Sequence, residues 1–315
     1  MQKPKSLEQS LWLGQISRQS IRDGSLRHSI EDRSVIGLTF DHRAICRALS
    51  DTGIYDSAIA RRLSGRLYGE PLAYRIIHED TRYAADLFRP VYDRTNGADG
   101  WVVTPVSPLS MAGNHSLVLK YKKVYEQIKR PNVLLCLPAL NDRLPDIEEL
   151  VYAGVPLNIA NIYSEKHYTA VANACLTGIE RRLEARYKPG VSTFITINIY
   201  RLIKALEQKA DVRTAIALAV AMAQKIYRRL SEQINSREWN KIYSRGASPF
   251  RIIWTYCDDD RLPEVYYELY RSLIAPYTVI SLPGDLIREI IAHPVEMMPM
   301  LLDSEECDQV PIYSH

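Results

Sequence analysis

Eight short apolar runs, alternating with longer amphipathic stretches, constrain this chain more than any other feature. Each run is rich in valine, isoleucine, leucine or aromatic residues, as strands buried on both faces of a parallel sheet usually are. The runs are Ser10–Leu13, Val35–Phe40, Trp101–Thr104, Asn132–Leu137, Leu157–Ile159, Val191–Ile197, Arg251–Thr255 and Thr278–Ser281. Eight such alternations in 315 residues predict an α/β fold, a closed (β/α)8 TIM barrel that forms a single domain over 1–315.

A doubly wound open sheet is the main alternative to the barrel. Its dinucleotide-binding version needs a GxGxxG turn after the first strand, and the sequence has none there, so we expect no NAD. Helical signals fill the intervals between the strands. Pro145 suits the first turn of one helix, Ser164 is placed to cap another, and Asp211–Gln233 is predicted to be the longest, with an apolar middle that packs in the core.

Composition and charge exclude several classes of protein. The net charge of +3 is spread along the chain, which argues against nucleic acid as a partner. The longest apolar stretch, Ala215–Ala223, is too short to span a bilayer. The first residues lack the apolar segment of a secretory signal, and five cysteines without CxxC spacing indicate reduced thiols and no zinc site. We therefore expect a cytoplasmic protein that acts on a small molecule.

Several segments resemble the transaldolase family. The most specific is the ungapped 14-residue stretch Arg89–Val102, which leads into the third strand. Ser10–Leu13 resembles the family's first strand and Pro131–Ala139 resembles its fourth. Further matching segments follow in the expected order: Leu144–Leu150, Tyr163–Tyr168 and Gly178–Leu183. The resemblance covers most of the chain and implies the barrel fold and, by analogy, association into a homo-oligomer.

The positions that carry the family's chemistry do not match. Cys136 stands where the family has its Schiff-base lysine, Gly14 where it has an aspartate, and Pro105 where it has a glutamate. A class I aldol reaction needs an amine that condenses with a ketone and a carboxylate that moves protons. A thiol cannot form the iminium that serves as electron sink, so we expect no transaldolase chemistry and no pyridoxal phosphate (PLP) in its place.

Three more positions at the strand ends differ from the family, and the last two of them bind phosphate there. Its strand-two asparagine aligns with Asp41, its phosphate-binding arginine with Asn198, and its seventh-strand lysine with Asp260. The last two changes remove two positive charges and add a negative one at the mouth of the pocket. A sugar phosphate should be repelled there unless a metal ion inverts the local sign.

What remains is predicted to be an apolar pocket with an acidic mouth. The predicted substrate-binding residues are Phe40, Cys136, Asn158, Ala160, Thr193, Ile195, Asn198 and Tyr256, with Pro105 and Leu140 beside them. The predicted catalytic residues are Asp41, Asp258 and Asp259. The predicted ligands of Mg²⁺ are Asp258, Asp259 and Asp260. This combination favours a Mg²⁺-assisted cyclase or lyase that acts on an apolar, prenyl-type diphosphate in specialised metabolism.

Other interpretations stay open at this point. The aspartate triplet also suits a solvated acidic loop, and Cys136 is either an inert wall residue or a nucleophile served by His42 and Asp41. The whole chain could instead be an inactive homologue that binds or regulates, or could transfer aldol units by an unfamiliar route. The polar tail 303–315 either folds over the pocket or is flexible.

Overall fold

Eight parallel strands close into one barrel in which each strand pairs with the next and β8 pairs back to β1. The structure is a computed structural model that describes residues 8–14, 16, 18–32, 34–40, 53–63, 68–107, 116–255, 269 and 272–292. The strands are β1 (Ser10–Gly14), β2 (Leu38–Thr39), β3 (Val102–Pro105), β4 (Val133–Pro138), β5 (Leu157–Ala160), β6 (Thr193–Asn198), β7 (Arg251–Thr255) and β8 (Thr278–Leu282). The predicted (β/α)8 barrel is therefore confirmed.

Helices alternate with these strands and form the outer layer. In the described part they are α1 (Arg18–Arg22), α2 (Ser25–Glu31), α3 (Asp56–Leu63), α4 (Gly69–Arg94), α5 (Leu117–Ile128), α6 (Leu144–Tyr152), α7 (Glu165–Glu184), α8 (Ile199–Leu206), α9 (Val212–Asn235), α10 (Arg237–Tyr243) and α11 (Gly284–Ala292). A search of the described helices finds none whose length and hydropathy would let it cross a membrane.

Two of the predicted helix starts are set by side-chain caps. The Ser164 hydroxyl accepts the backbone N–H of His167 at 3.1 Å, which confirms its predicted role at the start of α7. The Asp211 carboxylate accepts the backbone N–H groups of two first-turn residues of α9. The prediction that α9 is the longest helix is wrong, because α4 has 26 residues and α9 has 24. Helix α4 continues through Pro90, a residue that usually ends a helix, while its neighbours Phe88 and Val91 are buried against the barrel.

Side chains along each strand alternate between the barrel interior and the helix layer. The interior is filled by Trp12, Trp101, Val103, Leu134, Phe194, Ile253 and Val279. The rings of Trp12 and Phe194 are in tilted contact, with centroids 5.3 Å apart. Gly37 passes so close to this layer that a Cβ atom there would lie 2.4 Å from the Trp12 ring. The regular pairing of β2 begins just after this approach, at Leu38 and not at the predicted Val35.

The opposite strand faces pack against the helices in a second, larger core. Its strand residues include Leu135, Leu137, Ile159, Ile195 and Ile197. Helix α9 contributes Ala215, Ala219 and Ala223, which are fully buried and spaced by four so that they share one helix face. The predicted packing role of the apolar middle of α9 is confirmed.

A buried ion pair closes the N-terminal end of the barrel. One guanidinium nitrogen of Arg251, the first residue of β7, donates to the Asp99 carboxylate at 3.0 Å and to the Ala98 carbonyl at 2.6 Å. The other donates to the Ser10 hydroxyl and to the Thr278 carbonyl at 3.1 Å. Burial lowers the pKa of Arg251 and Asp99 acts in the opposite direction, and a guanidinium stays charged in either case. Arg251 thus ties β1, β7 and β8 to the turn that precedes β3.

Replacing Asp99 by asparagine should lower the free energy of unfolding by about 3 kcal/mol, because Arg251 would stay buried without a counter-charge. Urea denaturation followed by circular dichroism measures this loss. The matched control is Asp93→Asn, which removes the partner of Arg89 from an ion pair with both side chains about half exposed. The control should cost less than about 0.5 kcal/mol. A loss at Asp99 no larger than the loss at Asp93 would contradict the assigned role of the buried pair.

Candidate functional site

The C-terminal ends of the strands form one rim, and barrels of this kind bind their ligands there. Near this rim β4 places Cys136 in register with Pro105 of β3 and with Asn158 of β5. Cys136 shares a strand face with Leu134 and packs on the interior cluster. Its side chain is partly exposed. A ligand that enters from the rim would therefore reach Cys136 at the bottom of its path.

Cys136 belongs to a chain of uncharged hydrogen bonds that crosses three strands. The amide nitrogen of Asn158 donates to the Cys136 sulfur at 3.8 Å. The Thr196 hydroxyl donates to the amide oxygen of Asn158 at 2.6 Å. From the helix layer, the buried Tyr121 donates its hydroxyl to the backbone carbonyl of Cys136 at 2.9 Å. We call Cys136, Asn158 and Thr196 the interior network.

Burial raises the pKa of the Cys136 thiol to about 11, against a smaller lowering by the hydrogen bond from Asn158. At pH 7 only about one such thiol in 10,000 is ionised. Because the thiolate is the nucleophilic form, this thiol is poorly suited to attack a substrate. The chemistry favours the interpretation of Cys136 as a wall residue over its interpretation as a nucleophile.

A second uncharged hydrogen bond crosses the opposite side of the rim. The hydroxyls of Thr39 on β2 and Ser281 on β8 are 2.6 Å apart, and both residues are buried. Strand β1 lies between those two strands, so the hydroxyls meet across Gly14. A Cβ atom on Gly14 would lie 3.2 Å from the Ser281 oxygen, closer than an ordinary contact. A carboxylate at Gly14, where the resemblance places an aspartate in the family, would have to displace this bond.

The wall of the barrel is nearly free of charge. The eight strands, whose residues all belong to the described part, contain one charged side chain, that of Arg251 at the opposite end. Two histidines lie just behind the rim, His78 on α4 and His167 on α7. Burial lowers the pKa of both imidazoles, that of His78 to about 4, while hydrogen bonds to the carbonyls of Pro105 and Ala139 oppose the change. Both imidazoles are neutral at pH 7.

Three predicted pocket residues lie on the other face of their strands, and these predictions are corrected. Phe40 and Ile195 are buried in the larger core between the barrel and the helices. Thr193 and Ile195 flank Phe194, whose ring lies in the interior cluster. Since successive side chains of a strand point to opposite faces, Thr193 and Ile195 face the helix layer.

Three other predicted residues do lie at the rim, on neighbouring strands. Asn158 is part of the interior network, and Ala160 ends β5 in a partly buried position. The amide oxygen of Asn198 accepts the backbone N–H of Arg201 at 2.9 Å, so Asn198 caps α8. The rim thus brings Cys136, Asn158, Ala160 and Asn198 to one side of the barrel. Their role in substrate binding stays a prediction.

Sequence reasoning missed several hydroxyls that line the interior, among them Thr196 and Ser281. Both are buried and both make short hydrogen bonds to groups on other strands. The signal that could have found Thr196 is the two-residue period of a strand, counted from the inward Phe194. The predicted site was drawn mainly from positions that differ from the family, and Thr196 is not one of those considered.

The acidic residues of the predicted site, Asp41, Asp258, Asp259 and Asp260, lie outside the described residues. The same is true of His42 and Tyr256. Within the described ranges, no group of three or more histidine, cysteine, aspartate or glutamate side chains is placed to hold a metal ion. The described wall alone therefore does not supply a ligand set for Mg²⁺, and the predicted metal site depends on the aspartates named above.

The chain is similar to known proteins over nearly its whole length. The model of the family described as Transaldolase/Fructose-6-phosphate aldolase matches residues 11–311. A transaldolase from Thermobifida fusca is 31% identical over 295 residues, which are 90% of this chain and 79% of that protein. A transaldolase from Acidothermus cellulolyticus is 30% identical over 296 residues, 91% and 79% of the two chains. A transaldolase 2 from a Nostoc species is 27% identical over 308 residues, 92% and 80% of the two chains.

Alkylation of Cys136 by iodoacetamide at pH 7 should be at least about tenfold slower than that of a cysteine in an unstructured peptide. Its thiolate fraction is about 300-fold lower than that of a thiol with a pKa of 8.5, and the greater nucleophilicity of the more basic thiolate recovers only part of the difference. Peptide mass spectrometry measures the rate, which should rise about tenfold per pH unit up to the thiol pKa. A rate at pH 7 equal to that of the peptide cysteine would contradict the raised pKa.

Proposed function

The chain belongs to the transaldolase/fructose-6-phosphate aldolase family, and we propose that it has exchanged Schiff-base aldol chemistry for a reaction on a largely apolar substrate. The observation that carries the proposal is the uncharged barrel wall. The eight strands contain neither lysine nor carboxylate, and their one charged residue, Arg251, lies at the end away from the rim.

Schiff-base chemistry depends first on an amine. A Schiff base needs a lysine whose nitrogen reaches the ketone inside the barrel. The described lysines lie on helices or in loops: Lys120, Lys122, Lys123, Lys129, Lys166, Lys188, Lys204, Lys209, Lys225 and Lys241. The interior of β4 carries a neutral thiol at Cys136, where the resemblance places the family's lysine. This arrangement supports the loss of the covalent intermediate.

An aldol reaction also depends on a group that transfers protons. A general acid or base works best when its pKa lies near the working pH. The polar groups on the inward face of the described wall near the rim are a thiol, two amides and four hydroxyls: Cys136, Asn158, Asn198, Thr39, Thr196, Thr255 and Ser281. None of these types exchanges a proton readily at pH 7 without a stronger base beside it. The wall offers hydrogen bonds and apolar area, which suit the binding of a weakly polar molecule.

The specific form of the proposal is a Mg²⁺-assisted cyclase or lyase of specialised metabolism that acts on a prenyl-type diphosphate. The hydrocarbon body of such a substrate suits an uncharged wall, because no buried charge has to be desolvated when it binds. Its diphosphate would depend on a cation held by Asp258, Asp259 and Asp260, with Asp41 as a further acidic group. The described residues support the apolar half of this substrate, and the sequence supports the ionic half.

An inactive homologue that binds a metabolite or regulates a partner is the second candidate. The raised pKa of the Cys136 thiol and the lowered pKa of the His78 imidazole favour it, because at pH 7 the thiol stays protonated and that imidazole is only a weak base. Transaldolase-type transfer by an unfamiliar route is the third candidate. The uncharged wall gives this last candidate the least support.

Incubation with geranyl, farnesyl and geranylgeranyl diphosphates should release pyrophosphate and form a hydrocarbon or alcohol product, with one chain length preferred. Release should require Mg²⁺ and stop when EDTA is added, because the diphosphate needs a cation to leave. Pyrophosphate is measured by a coupled assay and products by gas chromatography with mass spectrometry. No product and no pyrophosphate from any of the three would eliminate the cyclase, and tight binding without turnover would favour the inactive homologue.

Borohydride reduction in the presence of fructose 6-phosphate should leave the mass of this protein unchanged, since none of the lysines in the described ranges lies on a barrel strand. The transaldolase from Thermobifida fusca, treated in parallel, serves as the positive control. Intact-protein mass spectrometry detects the reduced adduct. An adduct on any lysine of this chain would contradict the loss of Schiff-base chemistry.

A further inference from the structure

Two large apolar side chains face water at the part of the rim between β4 and β5. Leu140 follows β4 and is 49% exposed, and Tyr163 follows β5 and is 42% exposed. The two strands pair up to their ends, with Pro138 opposite Ala160. We propose that Leu140 and Tyr163 form an apolar lip that binds the hydrophobic part of the substrate at the barrel mouth. The lip rests on the proposed function and names two residues that determine its substrate class.

Hydrogen bonds hold the backbone next to both residues. The backbone N–H of Ala139 donates to the Ala160 carbonyl at 2.8 Å, which carries the pairing of β4 and β5 one residue beyond β4. Asn161 then turns the chain through a left-handed conformation with φ of 67°. Ser164 caps α7 directly after Tyr163, so the chain is fixed on both sides of the tyrosine. A lip built on fixed backbone can select a ligand without first being ordered by it.

Tyr163 offers an aromatic ring whose hydroxyl has a partner within the protein. The phenol donates to the side-chain oxygen of Asn161 at 3.4 Å in an exposed hydrogen bond. The ring itself offers a flat apolar surface. Leu140 contributes an aliphatic surface without any polar group. The pair therefore fits a hydrocarbon.

The lip continues the uncharged wall below it. Pro138 and Ala160 lie between the lip and the pair formed by Cys136 and Asn158 on the same two strands. Behind Leu140, a hydrogen bond joins the His167 imidazole to the Ala139 carbonyl, and burial lowers the pKa of that imidazole. A ligand passing the lip therefore meets only neutral groups of β4 and β5 until it reaches Cys136.

Position distinguishes the lip from two other exposed apolar side chains of the described part. Leu119 lies on the helix layer, and Tyr187 lies beyond the end of α7, at the side of the barrel opposite the rim. Isolated exposed apolar residues are common and need no special role. Leu140 and Tyr163 differ because they lie on adjacent strand ends at the mouth of an apolar barrel.

The experiment measures binding without turnover. The probes are farnesyl S-thiolodiphosphate, which does not react, and farnesol, which lacks the diphosphate; isothermal titration calorimetry gives Kd for each. Leu140→Ser and Tyr163→Ser should each raise Kd for both probes about fivefold, because each removes apolar surface that the ligand would cover. Leu140→Met and Tyr163→Phe should stay within twofold of the wild type (about 0.4 kcal/mol). Leu119→Ser and Tyr187→Ser are matched controls that should change nothing.

Several outcomes would overturn the lip. One is unchanged affinity for the probes in both serine variants, once thermal unfolding has shown that these variants are folded. Another is that the wild type binds neither probe. A change of sedimentation with unchanged affinity would assign the two residues to a contact between copies of this chain and would also overturn the proposal. Weaker binding by the serine variants, together with no turnover of any prenyl diphosphate, would keep the lip and reject the cyclase. Turnover with unchanged affinity would reject the lip alone.

Discussion

The alternation of side chains along eight short parallel strands is the constraint on which the rest of this barrel depends. It divides every strand into positions that face the interior and positions that face the helices. On β6 the period assigns Phe194, Thr196 and Asn198 to one face and Thr193 and Ile195 to the other. Because the inner layer is filled by seven large side chains, a ligand has room only above them. Chemistry is thus restricted to the inward residues at the last positions of each strand and to the segments that follow them.

The described strand ends at the rim carry no charge, and this has a physical reason. A charge buried in a barrel has to be compensated, and Arg251 shows the requirement, since its guanidinium is held by one carboxylate, one hydroxyl and two carbonyls. A buried amine and the carboxylates beside it compensate each other's charge in the same way. Once the amine is lost, a remaining carboxylate would be a buried charge without a partner. The proposed joint replacement at Cys136, Gly14 and Pro105 avoids that state, and neutral hydrogen bonds occupy the space.

The sequence predicted the fold well because the strand signal is local. Each of the eight apolar runs overlaps an observed strand, and only β2 is much shorter than predicted. The contacts that shape the site are not local. Thr39 and Ser281 are separated by 242 positions, and no pattern within either segment predicts their hydrogen bond. Phe40 and Ile195 were misassigned for a related reason: residue type indicates that a side chain is buried, whereas the strand period decides on which side.

The interior network also limits how this barrel can select a ligand. Asn158 has its amide oxygen engaged by Thr196 and one N–H directed at Cys136, so half of its hydrogen-bonding capacity is already used within the protein. Thr39 and Ser281 satisfy each other across Gly14 in the same way. Strong discrimination by polar contacts requires protein groups that would be left unpaired by the wrong ligand, and these groups already have partners. Selection must therefore come from the shape and length of the apolar body, between the exposed side chains at the rim and the filled layer below Cys136. Fit to such a cavity distinguishes ligands that differ by one methylene by only about 10- to 200-fold, so a barrel of this kind should tolerate close relatives of its substrate.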